Sequence, residues 1–81
     1  EENLIRLARM LIEVGAEVDR QDLTGWSALH AAAGNGFRDA AELLLDSGAN
    51  RRLRDINGLS PVDLAMDNAH DDLVDLFVSH G

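Results

Sequence analysis

The sequence predicts an all-α solenoid of stacked helix–turn–helix units joined by β-hairpin-like loops, and three observations predict it. Glycines recur at a fixed interval: Gly15, Gly48 and Gly81 stand 33 residues apart, and Gly25 and Gly58 keep the same offset. A period of that length marks a repeat array. Residues 22–48 also slide onto 55–81 without a gap, with eight of the 27 positions identical: Asp22/Asp55, Gly25/Gly58, Ser27/Ser60, Ala32/Ala65, Asn35/Asn68, Asp39/Asp72, Leu43/Leu76 and Gly48/Gly81. Unrelated segments would share about two at ordinary residue frequencies. Finally, further pairs keep apolar character without identity, among them Leu29/Val62, Ala40/Leu73, Ala41/Val74, Leu44/Phe77 and Leu45/Val78.

The elements follow in order. Residues 3–14 read as one helix, with Leu4, Ile5, Leu7, Ala8, Met10, Leu11 and Ile12 spread over too many sides for a free end. Gly15 supplies its left-handed C-terminal residue, and Gly48 does the same for a later helix. Ser27 and Ser60 N-cap short helices over 27–34 and 60–67, and Pro61 falls at a first helical position, where a missing N–H costs nothing. Second helices cover 37–47 and 70–80. Their buried faces carry Leu43, Leu44 and Leu45 in one, and Leu73, Val74, Leu76, Phe77 and Val78 in the other. Between the helix pairs lie 17–26 and 50–59, where Thr24-Gly25 and Asn57-Gly58 are turn dipeptides and the latter a strong hairpin signal. The chain divides into a single domain of residues 1–81: a partial repeat (1–21), a full repeat (22–54) and a C-terminal repeat (55–81).

Composition sets bounds on function. Eighty-one residues with 46% hydrophobic content suffice for one core, and with 4% aromatics that core must be built from Ala, Leu, Val and Ile. The formal net charge is -8, with 7 Lys+Arg against 15 Asp+Glu, which disfavours duplex nucleic acid as a partner. No Cys is present, so disulfides and thiolate chemistry are excluded. No apolar run approaches a membrane span. Residues 55–81 hold six acids and no base, whereas the only basic cluster, Arg51, Arg52 and Arg54, precedes them. The absence of Lys has no physical explanation in the sequence.

The stretch Asp22-Leu-Thr-Gly-Trp-Ser-Ala-Leu-His30-Ala-Ala-Ala, closed by Leu43-Leu-Leu-Asp-Ser-Gly-Ala49, resembles an ankyrin repeat. Ser60-Pro61-Val62-Asp63-Leu64-Ala65 is similar, and the resemblance covers nearly the whole chain. It implies the stacked helix-pair solenoid, an intracellular setting in cytoplasm or nucleus, and a His30 that ties adjacent loops together. Three positions depart from the pattern. Asp63 stands for His, Ala69 for the Gly before a second helix, and Arg51 for an apolar residue beneath its hairpin, which should loosen that hairpin. The first unit lacks a first helix, so either an upstream segment or another molecule is expected to cover residues 3–14, self-association included. Asp71, Asp72, Asp75 and Ser79 give polarity at the other end.

Candidate sites divide between chemistry and packing. Trp26 either anchors an interface or packs on the neighbouring loop, and indoles often do both. His30 has no nucleophile beside it, since Ser27 serves as a cap. Asp67, His70 and Asp71 could hold a divalent ion, although in so acidic a unit they read first as a solvated face. The Arg cluster could meet a carboxylate or phosphate, or pair with Asp19, Asp22 and Asp55. The function expected is protein–protein interaction, by a non-enzymatic module without cofactor or metal that presents a hairpin and concave-groove surface to a segment of basic character. The residues expected to bind it are Leu23, Thr24, Trp26, Asn35, Ile56, Asn57, Leu59, Asp67 and Asn68. Other classes stay open: a regulatory or targeting segment of a larger enzyme of kinase or ubiquitin ligase type, a self-assembling structural module, or a small metal-dependent enzyme.

Overall fold

Ser27 and Ser60 each start a helix in the same way. Both hold extended backbone, and each Oγ accepts the N–H three residues on, from His30 and Asp63 respectively, both at 3.4 Å. The His30 and Asp63 side chains reach back to the serine N–H groups, so each start is a reciprocal capping box that satisfies two orphan donors. In the computed structural model, which describes residues 2–13 and 18–80, the helices are α1 (Glu2–Glu13), α2 (Ala28–Asn35), α3 (Arg38–Asp46), α4 (Pro61–Asp67) and α5 (Asp71–Ser79). No strand occurs among the described residues. Gly15, assigned to the end of the first helix, lies outside them, as does Gly81.

The helix ends repeat as faithfully as the starts. Three helices close with the backbone pair of a Schellman motif. The Phe37 N–H donates to the Ala32 carbonyl at 2.9 Å, that of Ala49 to Leu44 at 3.0 Å, and that of His70 to Ala65 at 2.8 Å. This motif needs a left-handed residue just past the helix. Gly36 and Gly48 fill that role, and in the third case it falls to Ala69, at φ 58°.

α2 packs on α3 and on α4, α4 on α5, and α1 on α3, which in turn packs on α5. The equivalent helices of successive units therefore stack. The core comprises Ala8, Ala32, Ala33, Ala40, Ala41 and Ala65, all fully buried, with Leu29, Leu44, Leu73 and Phe77 between them. Val and Ile, expected in the core, lie at its margin, where Ile5, Val18, Val62 and Val74 are half-buried. Alanine lets short helices approach closely, and β-branched side chains would hold them apart. Val78 departs furthest from expectation, at 80% exposed.

The loops differ from simple two-residue hairpins. In each, the Gly N–H closes a turn onto the Asp three residues earlier, Gly25 to Asp22 and Gly58 to Asp55, both at 2.9 Å. The glycines occupy the last turn position with positive φ, and no non-glycine residue before them does. The turns are therefore of type I followed by a left-handed glycine, and the Asn57-Gly58 pair does not form the mirror-image turn.

Candidate interaction surface

Asp22 and Asp55 organise the two hairpins. Asp22 Oδ1 accepts the Thr24 N–H at 2.8 Å, the Thr24 hydroxyl at 2.6 Å and the Trp26 N–H at 3.0 Å. Asp55 Oδ1 accepts the N–H groups of Asn57 and Leu59 at 2.8 and 2.9 Å. The Thr24 hydroxyl, followed by the Trp26 N–H, holds the Asp22 carboxyl below its ordinary range. For Asp55 the leading cause is the Leu59 N–H, against a smaller opposing effect of burial. The two aspartates thus cap their own turns and do not pair with the arginines. Their identity at the repeat offset, three residues before a turn glycine, was the signal that could have revealed this role.

The hairpins also lock to each other. The Ile56 N–H donates to the Thr24 carbonyl at 2.9 Å. Gln21 Nε2 bridges the carbonyls of Gly25 and Arg54 at 2.7 and 2.9 Å, and the Asn50 N–H reaches Asp19 Oδ1 at 2.7 Å. Trp26 Nε1 donates to Asp55 Oδ2 at 3.1 Å, and its ring stacks on His30 with centroids 6.4 Å apart. His30 is fully buried. Its Nδ1 accepts the Ser27 N–H at 3.1 Å and its Nε2–H donates to the Leu59 carbonyl at 3.0 Å, a tautomer assigned from these partners. It ties one unit to the next hairpin. Asp63 at the equivalent position stays within its own cap, accepting the Ser60 N–H and hydroxyl at 2.9 and 3.0 Å.

Arg51 and Arg54 direct their guanidinium groups to backbone carbonyls. Arg51 donates to the carbonyls of Phe77 and His80, so its guanidinium closes the C-terminal end of α5. The hairpin expected to be loose there is pinned instead. Arg54 donates to the Gly58 carbonyl at 2.8 Å. Neither Arg nor Arg52 forms an ion pair with Asp19, Asp22 or Asp55 among the described residues.

The expected binding residues fall into two groups. Leu23 is 100% exposed and Ile56 is 75% exposed, at equivalent hairpin tips one repeat apart. Thr24 and Asn57 flank them, exposed, and Asp67 is exposed at the end of α4. Asn35 and Asn68 are exposed as well, but each side-chain amide turns back to its own helix, donating to Ala31 and Leu64 at 2.8 Å. Trp26 and Leu59 are half-buried against the core, at hairpin bases and not tips. His70 lies over Gly36, where an added Cβ would fall 2.8 Å from the imidazole Cε1. Among the described residues no group of three His, Asp or Glu side chains is placed to hold a metal ion. No helix there is long and apolar enough to cross a membrane.

The family model for ankyrin repeats matches residues 1–81 in three copies. The chain belongs to the ankyrin-repeat family. Ankyrin repeats are generally protein–protein interaction modules and are typically non-catalytic. No individual curated protein is significantly similar to this one.

Proposed function

We propose that this ankyrin-repeat chain recognises a protein segment through its hairpin tips and the adjoining inner helices α2 and α4. The observation that carries this reading is the pair Leu23 and Ile56. Two large aliphatic side chains stand almost wholly in water on turns that their own aspartates and a cross-hairpin hydrogen bond hold rigid. Exposed apolar groups on a preorganised loop lose little entropy when a partner covers them. Thr24, Asn57 and Asp67 supply polar registration beside them. The partner segment carries basic residues, because Asp67, Asp71, Asp72 and Asp75 are all exposed on the last unit. Asp71 and Asp72 also favour the N-terminal turn of α5 through its dipole, so Asp67 and Asp75 provide the more specific support.

The test is a double substitution, Leu23→Ser with Ile56→Ser, scored by thermal melt and by quantitative affinity capture. Both side chains are solvent-exposed, so the melt should not move. Captured partner should fall sharply. Equal capture by the folded variant would refute the hairpin-tip assignment.

A further inference from the structure

The chain contains two Asn-Gly pairs, Asn35-Gly36 and Asn57-Gly58. Such a pair can modify itself in water, because a glycine nitrogen with no Cβ beside it reaches the preceding side chain unhindered. The structure places the two pairs in opposite circumstances.

Asn35 is held. It ends α2, and its Nδ2–H donates to the Ala31 carbonyl at 2.8 Å, which turns the carboxamide back along the helix. The Gly36 N–H donates into the same helix end, to the carbonyls of Ala32 and Ala33. The His70 ring lies over Gly36, so close that an added Cβ would fall 2.8 Å from Cε1. Freeing the Gly36 nitrogen therefore means melting the junction of α2 and α3, where Ala32 and Ala33 are fully buried.

Asn57 is not held. It is exposed at the second hairpin tip beside Ile56, and only its backbone N–H is engaged, by Asp55 Oδ1 at 2.8 Å. Its carboxamide makes no hydrogen bond among the described residues. Gly58 is exposed at φ 78°, with nothing within 4 Å of a Cβ built on it. Its N–H is held by the Asp55 carbonyl alone, at 2.9 Å, and a solvent-exposed turn of this kind opens locally at low cost. The equivalent turn one repeat earlier has Thr24 in place of the asparagine.

We infer that Asn57 is a site of spontaneous conversion to isoaspartate, selected over Asn35 by the fold, and that the conversion alters the second hairpin tip. The Gly58 nitrogen gives its proton to solvent base and bonds to Asn57 Cγ. The Cγ–Nδ2 bond breaks and ammonia leaves, so a cyclic imide remains. Water then opens the ring. Cleavage between Cγ and the Gly58 nitrogen gives aspartate, and cleavage between that nitrogen and the main-chain carbonyl gives isoaspartate, its chain routed through Cβ and Cγ. Nothing is oxidised or reduced, and water is the only co-reactant. Both products add a negative charge beside Ile56. Isoaspartate also lengthens the turn that the Gly58 N–H closes, which displaces Ile56 relative to Leu23. The chemistry is independent of the hairpin-tip reading, whereas its effect on recognition rests on that reading.

The probe is the 81-residue protein, incubated warm at mildly alkaline pH with and without denaturant, then cut at arginine and mapped by tandem mass spectrometry. Asn35 falls in fragment 21–38 and Asn57 in fragment 55–81. In the native protein Asn57 is expected to convert at least about tenfold faster than Asn35, the contrast between opening a surface turn and opening a packed helix end. In denaturant the two rates should converge. An isoaspartyl methyltransferase should label the aged native protein, and Asn57→Gln should abolish the label. Equal native rates, or a contrast that survives in denaturant, would overturn the site assignment. The isolated isoaspartate form should bind the captured partner segment several-fold more weakly than fresh parent protein. Equal binding by the two, in an assay where Leu23→Ser/Ile56→Ser protein binds weakly, would overturn the effect on recognition. Equal binding by all three would instead refute the hairpin-tip reading, a failure that the mass spectra keep separate from that of the site.

Discussion

Ala69 sits in a backbone conformation that an L-side chain resists. Its φ of 58° completes the Schellman turn between α4 and α5, a place filled by glycine at Gly36 one repeat earlier. The left-handed conformation costs an alanine about 1 kcal/mol, so Ala69→Gly should raise stability by about that amount, less the entropy a glycine adds to the unfolded chain. Paired denaturant melts at equal slope check it. The aspartates make a second prediction at this scale. Asp22, Asp55 and Asp63 all have carboxyls held below the ordinary range by N–H and hydroxyl donors. A folded-state value lower than the unfolded one gives stability that is complete above the unfolded value, about 4, and is lost as pH falls through the folded one. Melting midpoints should therefore hold steady from pH 7 to about 5, then drop steeply toward pH 2, with the drop shallower in Asp55→Asn. A flat acid limb in the parent would show that these caps contribute nothing.

The helices and turns show why some elements were legible in the sequence and others were not. Ser27 and Ser60 placed both inner helices to within a residue, because a cap is a local signal that tertiary packing reinforced. His30 was likewise placed between loops, through the ankyrin resemblance, and its hydrogen bond to Leu59 bears this out. Arg51 misled, because an arginine beneath a hairpin reads as a packing defect until the carbonyls of Phe77 and His80 are seen within its reach. Leu59 misled for a similar reason: a hairpin's base and its tip look alike in sequence, and only the fold buries one. The two turn glycines, equivalent in sequence, are unequal in space. A Cβ on Gly25 would fall 2.7 Å from the Asp55 Cα and the Ile56 N, whereas one on Gly58 meets nothing within 4 Å. Both have positive φ, so both alanine substitutions pay the conformational cost of about 1 kcal/mol. Gly25→Ala must also push two hydrogen-bonded hairpins apart, and should cost at least about 1 kcal/mol more than Gly58→Ala, the scale of overpacking. Equal costs would mean that the hairpins do not lock as described.

At the scale of the whole molecule, charge and rigidity set the behaviour. The radius of gyration, 11.3 Å, is close to the roughly 12 Å expected of a compact chain this long, because so few stacked units have not yet elongated. The core is correspondingly small, and alanine-rich. Net negative charge is concentrated on the last unit, which holds six acids and no Lys or Arg, so association with a basic segment should slow several-fold as salt rises from about 10 mM to about 150 mM, where the screening length shrinks from about 30 to 8 Å. Stopped-flow association rates independent of ionic strength would remove the electrostatic part of the reading and leave the apolar part standing. That part rests on Leu23 and Ile56, and it is tested most directly by titrating the captured partner segment against the parent protein and the Leu23→Ser/Ile56→Ser variant side by side. With unchanged melts, affinity is expected to weaken by more than about 2 kcal/mol, roughly thirtyfold, the scale of losing a binding hot spot. Equal affinity in a variant that melts like the parent would contradict the claim that these hairpin tips are the recognition surface.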